Sequence, residues 1–295
     1  MPGQYLIGRV ILSNAHGVLY IVATPIGNLS DISDRARRVL GEVDGVFAED
    51  TRRSGRLLKR LGILASLTSF HAHNETHRAK RVIERLERGE NLALISDAGT
   101  PVISDPGGQL VREVLERGIR VVPLPGPCAL ICALSASGVN ASKFVFEGFL
   151  SPSPVARRSR LKDLSEEKRT VVFYEAPHRI EGLLSDLLDT FGADRTATVA
   201  RELTKTFETI LAGTLAILSK TLSEDENHKK GEFVVVVSGR KSDVADDTHE
   251  LERILSVLLE DMPVKQAVST AVKLTKMKKN HVYRVAMALS SRKAT

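Results

Sequence analysis

Cysteine is scarce in this chain, with only Cys128 and Cys132 among 295 residues. Four apart in PCALICALSASG, they would share one face of a helix, but two ligands make no zinc site and nothing nearby supplies the rest. They are expected to be small buried hydrophobes, and the lack of a disulfide framework points to a cytoplasmic protein. No apolar run approaches the roughly 18 residues that a membrane span requires. In the leading MPGQYLIGRVILSNAHG, Gly8 and Arg9 interrupt the apolar stretch and no positive region precedes it, which argues against an export signal. Also missing are a GxGxxG turn after a strand, a Walker loop and a GxSxG elbow, so a dinucleotide fingerprint and an ordinary P-loop are disfavoured. Ser96, His178 and Asp50 can be written down as a triad, yet no elbow supports it. The His71, His73 and His77 spacings lack the clustered thiolates or carboxylates of a metal site, and no metal is expected.

One further absence is local. From Met262 to Thr295 there is no Asp or Glu, while Lys265, Lys273, Lys276, Lys278, Lys279, Arg284, Arg292 and Lys293 are basic. Apolar residues at helical spacing (Leu251, Ile254, Leu255 and Leu258; Val264, Ala267, Val268, Ala271 and Leu274; Val282, Val285, Ala286 and Leu289) predict three short helices here. A one-signed face on such helices fits phosphate contact, and the formal net charge of +6 suits a polyanionic partner. A solvated helical cap would carry the same lysines. Before it, KSDVADDTH reads as a linker.

What is present is a repeated alternation of strand and helix. With 42% hydrophobic and 26% charged residues the chain has the composition of a globular protein, long enough for two domains and a small third. The most informative stretch is Asn91 to Gly107. Leu92 to Ile95 predicts a buried strand that empties into Ser96, Asp97, Ala98, Gly99, Thr100 and Pro101, small and polar residues able to press backbone against a ligand. Asp105 and Pro106 are expected to cap and start the next helix, with Gly118 as its stop. An ordinary Gly/Pro-rich βα turn would look alike. Five strand ends deliver TPIGN, EDTRR, HAHNE, SDAGTP and PGPCA, and parallel strands with right-handed crossovers would gather these loops at one sheet edge. Ser30 or Asp31 is expected to cap the first helix. From Phe144, FVFEGFL, RTVVFYE, TATVARELTK, Phe207 to Ala212 and Glu232 to Ser238 predict a mixed sheet with helices, and SPSPVARRSR a break followed by a basic segment. The residues by themselves lead to a two-domain α/β enzyme with a loop-built pocket and a basic appendage.

VATPIGNLSDIS, FAEDTRRSGRLL, SFHAHNE, ALISDAGTPVISDPG, PLPGPCALICALSASG, FVFEGFL, FYEAPHR and VARELTK, in this order, closely resemble the small-subunit ribosomal RNA 2'-O-ribose methyltransferase I family, a branch of the tetrapyrrole methylase superfamily. The resemblance runs from about Val18 to Gly239. It implies a two-domain tetrapyrrole-methylase-like α/β fold (a class III methyltransferase), distinct from Rossmann-type methyltransferases, with residues 18–140 as first domain and 141–240 as second. Residues 250–295 form the basic helical domain. It further implies S-adenosylmethionine in the cleft between domains, a cytidine ribose in the decoding region of 16S rRNA as substrate in the small ribosomal subunit, and a homodimer, with neither DNA nor membrane as partner.

Carried over residue by residue, the resemblance assigns the cofactor to Ile26, Asp97, Ala98, Gly99, Thr100, Ile103, Cys128, Ala129, Glu175 and Leu203. TPIGN departs from the superfamily's GxGPGD loop, with Ile26 in place of a proline and Asn28 without the usual acidic group. Asp97 or Glu175 could accept ribose hydroxyls or face a sulfonium charge. In-line attack by a ribose 2'-oxygen would need alignment and one proton acceptor, for which Asp50, Glu175 and Lys205 are candidates. Asn28, Arg52, Arg179 and Arg201 are candidates for substrate phosphates or ribose, and ion pairing with Glu49 and Glu202 is the competing role for the arginines. A small-molecule tetrapyrrole-type methylase and a non-catalytic ribosome-assembly factor are the alternatives.

Overall fold

The computed structural model describes residues 6–7, 10–11, 16–71, 74–240 and 244–293. The chain divides into two compact units, Met1–Gly239 and Arg240–Thr295. In the first unit, β1 (Leu6–Ile7) and β2 (Val10–Ile11) form a minimal antiparallel pair. There follow β3 (Val18–Val22), α1 (Asp34–Glu42), β4 (Gly45–Ala48), α2 (Thr51–Leu61), β5 (Leu67–Ser69), α3 (Glu75–Glu87), β6 (Leu92–Ile95), α4 (Gly108–Glu116), β7 (Arg120–Leu124) and α5 (Ala129–Ala136). The five strands from β3 to β7 make one parallel sheet in the order β5-β4-β6-β3-β7.

Successive residues of a strand face opposite sides, and this sheet is covered on both. Phe47, Leu92 and Leu94 pack with Val82, Ile83 and Leu86 of α3 and with Leu110 and Val114 of α4. Their neighbours Val46, Ala48, Ala93 and Ile95 pack the other way, on Val39 and Leu40 of α1 and Leu58 and Leu61 of α2. That two-sided burial is why β4 and β6 read as continuous apolar runs.

The second sheet is mixed, as its shorter spacing predicted. It contains β8 (Phe144–Phe149), β9 (Thr170–Glu175), β10 (Thr196–Arg201), β11 (Thr209–Thr214) and β12 (Phe233–Val237), ordered β11-β10-β12-β9-β8. Only β8 and β9 run parallel. Helices α6 (Pro154–Leu164), α7 (Ile180–Phe191) and α8 (Leu215–Glu224) cover one face. The other face is covered by α5, whose Leu130, Ala133 and Leu134 pack on Val172, Ala200, Val234 and Val236. Thus the helix that follows the last strand of the first sheet is seated on the second.

Several local expectations are corrected. Asp105 and Pro106 do not start α4. The helix begins at Gly108, and its free N–H groups are satisfied from elsewhere: Glu75 Oε1, in the first turn of α3, accepts from the N–H groups of Gly107 (3.2 Å), Gln109 (3.2 Å) and Leu110 (3.4 Å). Ser33, rather than Ser30 or Asp31, caps α1 by accepting from Ala36 N–H. The basic segment after SPSP is helix α6, and its arginines serve the fold: Arg157 is buried against Asp186 at 2.6 Å, and Arg160 is bidentate on Glu147. The expected linker falls partly at residues 241–243, outside the described residues, and from Val244 the chain is already helical.

The second unit contains α9 (Val244–Asp261), α10 (Val264–Thr275) and α11 (Lys279–Lys293). Leu251, Leu255, Ala267, Val268, Ala271, Val282 and Ala286 form its core, and Lys276 at φ 58° makes the left-handed turn that ends α10. No helix of the described residues is long and apolar enough to cross a membrane.

Because Glu75 serves three N–H groups in trans, Glu75→Ala is expected to cost about 1–2 kcal/mol. Equilibrium denaturation checks this, and an unchanged midpoint would show that water replaces the carboxylate without loss.

Candidate active site

The carboxyl ends of β3, β4, β6 and β7 converge, and their loops are tied together by hydrogen bonds. Thr24 and Gly99 exchange both backbone bonds, N–H to C=O, at 2.9 and 3.0 Å. Thr24 Oγ1 donates to Ser96 O, and Thr100 Oγ1 donates to Pro127 O at 3.0 Å. Asp97 joins the EDTRR loop, accepting from Asp50 N–H on Oδ1 (3.0 Å) and from Arg53 Nη1 on Oδ2 (3.2 Å). The SDAGTPVISDPG loop is held in a costly shape. Gly99, Val102, Ser104 and Gly107 all have positive φ, and Val102, at 75°, is a β-branched residue where such backbone is rare.

Across from it lies the loop after β10, in which Glu202 and Thr204 are also left-handed. Four of the five non-glycine residues with positive φ among those described therefore belong to two facing loops, as expected where strain serves a site. The halves touch closely. Asn28 N–H donates to Thr204 Oγ1 at 3.1 Å, and a Cβ on Gly27 would lie 2.4 Å from Lys205 Cγ, so only glycine fits TPIGN here. Leu130 N–H, at the start of α5, donates to the Tyr174 hydroxyl at 3.0 Å.

Between the two sheets lies a cleft of about 420 Å³. Ile26, Asp97, Ala98, Gly99, Thr100 and Ile103 line it from the first sheet's loops, Cys128 and Ala129 from the start of α5, and Glu175, Leu203 and Lys205 from the second half. The structure thus brings together the residues named above for the cofactor. Asn28, Asp50, Arg52, Arg179 and Arg201 do not line this cleft. Asn28 Oδ1 is occupied by Ser30 N–H. Arg52 is outside on α2, its side chain 90% exposed. Arg179 donates to Leu150 O at 2.6 Å, and its Nε lies 3.1 Å from Glu175 Oε1. Arg201 ends β10, opposite Phe233.

Two of the three candidate bases are unsuited to that role. Asp50 caps α2, accepting from Arg52 N–H at 2.8 Å, and this hydrogen bond holds its carboxyl below the usual range. Lys205 Nζ sits 2.7 Å from Glu202 and 2.9 Å from Glu232. Desolvation alone would lower its pKa, but the two carboxylates outweigh it and raise the value, so this side chain is a fixed cation. Glu175 is 2% exposed, and its Oε1 accepts from Ala176 N–H. Its side chain is wholly buried, with the Arg179 guanidinium beside Oε1 and no hydrogen-bond partner for Oε2.

Other cleft residues escaped sequence reasoning. Glu49 and Asp105 share the cleft with Asp97, forming a concentration of carboxylates. Burial, then repulsion from Glu49 and Asp97, pushes Asp105 up to about 6, against a Ser96 hydrogen bond that pulls it down. Burial, then Asp97, also raises Glu49. Phe149, 55% exposed, stands at the edge against Tyr174, with ring centroids 5.6 Å apart. The DPG tripeptide resembles a helix start in sequence, so nothing local marks Asp105 as a cleft residue. Of the dismissed constellations, Ser96 is buried with its hydroxyl 3.4 Å from Gly99 O, and His71 pairs with Asn74. His73 lies outside the described residues, and among those described no group of acidic, His or Cys side chains could hold a metal.

Fold and cleft together define a class. Residues 18–219 match the model of the tetrapyrrole (corrin/porphyrin) methylases, and the chain belongs to that family. Residues 245–290 match a second model, described as the RsmI C-terminal HTH domain. Within the family the similar relatives are specific. A Pseudomonas aeruginosa protein named ribosomal RNA small subunit methyltransferase I is 51% identical over 92% of this chain and 97% of its own length, and an Escherichia coli O157:H7 protein of the same name is 47% identical over 93% and 96%. Solved structures with the same fold are a cobalt precorrin-4 methyltransferase (TM-score 0.57, 16% identity, 77% of this chain and 96% of that one) and diphthine synthase (TM-score 0.58, 16% identity, 75% and 90%).

Asp105 makes a pH prediction. Because its folded pKa lies above its unfolded one, the native state holds the extra proton, and stability falls as pH rises from about 4 through 6. Asp105→Asn is therefore expected to raise the melting temperature relative to wild type at pH 7.5 and to lose that advantage at pH 4. An equal change at both pH values would contradict the assignment.

Proposed function

We propose that this chain transfers a methyl group from S-adenosylmethionine to the 2'-oxygen of a cytidine ribose in the decoding region of 16S rRNA. The observation that carries the reading is the cleft: small residues Ala98, Gly99 and Ala129 with the acidic residues Asp97 and Asp105 along one wall, and Glu175 and Leu203 on the other. Those walls fit the cofactor, small side chains admitting its backbone-held adenosine and amino acid portions, and the acidic lining of Asp97 and Asp105 suiting its positive charge. When bound, S-adenosylmethionine supplies an already activated methyl group. The division into residues 18–140, 141–240 and 250–295 belongs to this reading, the first two making the cleft and the third contributing cationic contacts to rRNA. Full-length relatives named for small-subunit rRNA methylation support the substrate class.

The chain's own tasks are then alignment and proton removal. Asp105, whose pKa lies near neutrality, is assigned as the proton acceptor for the ribose hydroxyl. Asp97 is oriented by Arg53 and Asp50 N–H to meet cofactor hydroxyls or positive charge. Lys205, fixed by Glu202 and Glu232, holds the loop after β10 in place against Gly27 at the opposite wall.

The test is methyl transfer from labelled cofactor to small ribosomal subunits lacking this modification, with the product nucleoside identified by mass spectrometry. The expected product is 2'-O-methylcytidine, and label on a base or no label in rRNA would refute the reading. Asp105→Asn is expected to lower kcat by about 10²–10⁴ while calorimetry finds cofactor affinity within a few fold of wild type. Undiminished turnover would remove Asp105 from the proton-accepting role.

A further inference from the structure

Helix α2 carries Arg52, Arg53, Arg56, Lys59 and Arg60 and no acidic residue, and all five cations are exposed. Lys59 and Arg60 stand in the last turn, where the helix dipole favours cations, but helix physics disfavours the rest of this choice. Arg52 and Arg53 stand in the first turn, where the helix dipole repels cations, and Arg52/Arg56 and Arg56/Arg60 are like-charged pairs at i,i+4. Arg53 is compensated by Asp97 and Arg52 lies 3.7 Å from Asp50, but Arg56, Lys59 and Arg60 have no ion pair among the described residues. The same helix contains a glycine at an interior position, Gly55. A Cβ there would meet only Leu67 Cδ1, at an ordinary 3.5 Å, so packing does not exclude alanine, although glycine is the poorer helix former. Gly55 lines a shallow depression together with Thr51, Arg52, Arg56 and Lys59, with the helix-capping Asp50 at its cleft end. The helix begins at the cleft, which Arg53 lines, and Arg37 of α1 bonds to Leu61 O at the far end.

Two locally unfavourable choices, unpaired like charges and a dispensable glycine, therefore coincide on one exposed face that starts at the cleft mouth. We propose that this face of α2 is a docking track for the sugar-phosphate backbone of a single RNA strand, with Arg56, Lys59 and Arg60 reaching phosphates and bare Gly55 letting the strand lie close. From Arg52 to Arg60 the track is roughly 12 Å long, enough to fix the nucleotides flanking the one that enters the cleft. The inference rests on the rRNA reading above and deepens it by naming where the strand runs.

Fluorescence anisotropy with a labelled single-stranded RNA of roughly twelve nucleotides tests it directly, using the full chain. The double variant Arg56→Glu, Lys59→Glu is expected to weaken RNA binding about tenfold or more and to flatten the log K against log salt slope by about 1.4, two phosphate contacts at about 0.7 each. Cofactor affinity by calorimetry is expected to stay that of wild type. Gly55→Ala is expected to raise the melting temperature and yet weaken RNA binding, a combination that a purely structural glycine would not give. Variants that bind RNA with wild-type affinity and salt slope would overturn the track. Should wild type methylate small subunits while the variants bind RNA as it does, the track alone fails. Should wild type transfer no methyl group, the rRNA reading fails, and the anisotropy comparison still decides the track.

Discussion

The arrangement depends on the seating of α5. Leu130, Ala133 and Leu134 of its sequence ALICALSA bury against the second sheet while the preceding PGPCA turn is bonded to the first sheet's loops. Burying three such side chains contributes on the order of a few kcal/mol, but its larger effect is geometric. The Tyr174 hydroxyl accepts from Leu130 N–H, Asn28 N–H donates to Thr204, and Thr198 Oγ1 donates to Ser137 O, all across the same seam. With the halves fixed in this way, the cleft has a set width and two strained loops face each other across it.

Charge is distributed unevenly around that cleft. Inside are Glu49, Asp97, Asp105 and Glu175, an acidic interior in which burial, with repulsion between neighbouring carboxylates, raises the pKa values of Glu49 and Asp105. Outside, along α2, Arg56, Lys59 and Arg60 have no ion pair among the described residues. Such a gradient suits a reaction in which a cationic donor group sits deep and a polyanionic acceptor approaches from the surface. Arginines elsewhere have ordinary duties. Arg157 and Arg160 anchor α6, and Arg85 bonds Glu90 at 2.6 Å and Asp44 O at 2.9 Å, so the count of basic residues in the sequence overstates the free positive surface.

Much of this was legible in the residues because the signals were local. Apolar runs bounded by Gly and Pro located β3 to β7, and parallel alternation gathered their loops. The motifs carried by the resemblance then pointed to side chains that do line one cleft. What was not legible depended on distant partners. Glu75 caps a helix more than thirty positions away, so the sequence around Asp105 and Pro106 carries a helix-start signal that the fold does not use. Asp50 and Lys205 are chemically plausible bases until their neighbours, Arg52 N–H and the Glu202/Glu232 pair, are known. Whether Arg157 faces solvent or Asp186 is likewise a matter of packing between α6 and α7, which no spacing rule records.

The most direct test of the central claim, that the cleft between the two sheets is the cofactor site, is a crystal structure of the full chain with S-adenosylhomocysteine. Its density is expected between the Ala98–Gly99–Thr100 loop, Cys128 and Ala129 on one side and Glu175 and Leu203 on the other. Density elsewhere, with this cleft filled only by water, would contradict it.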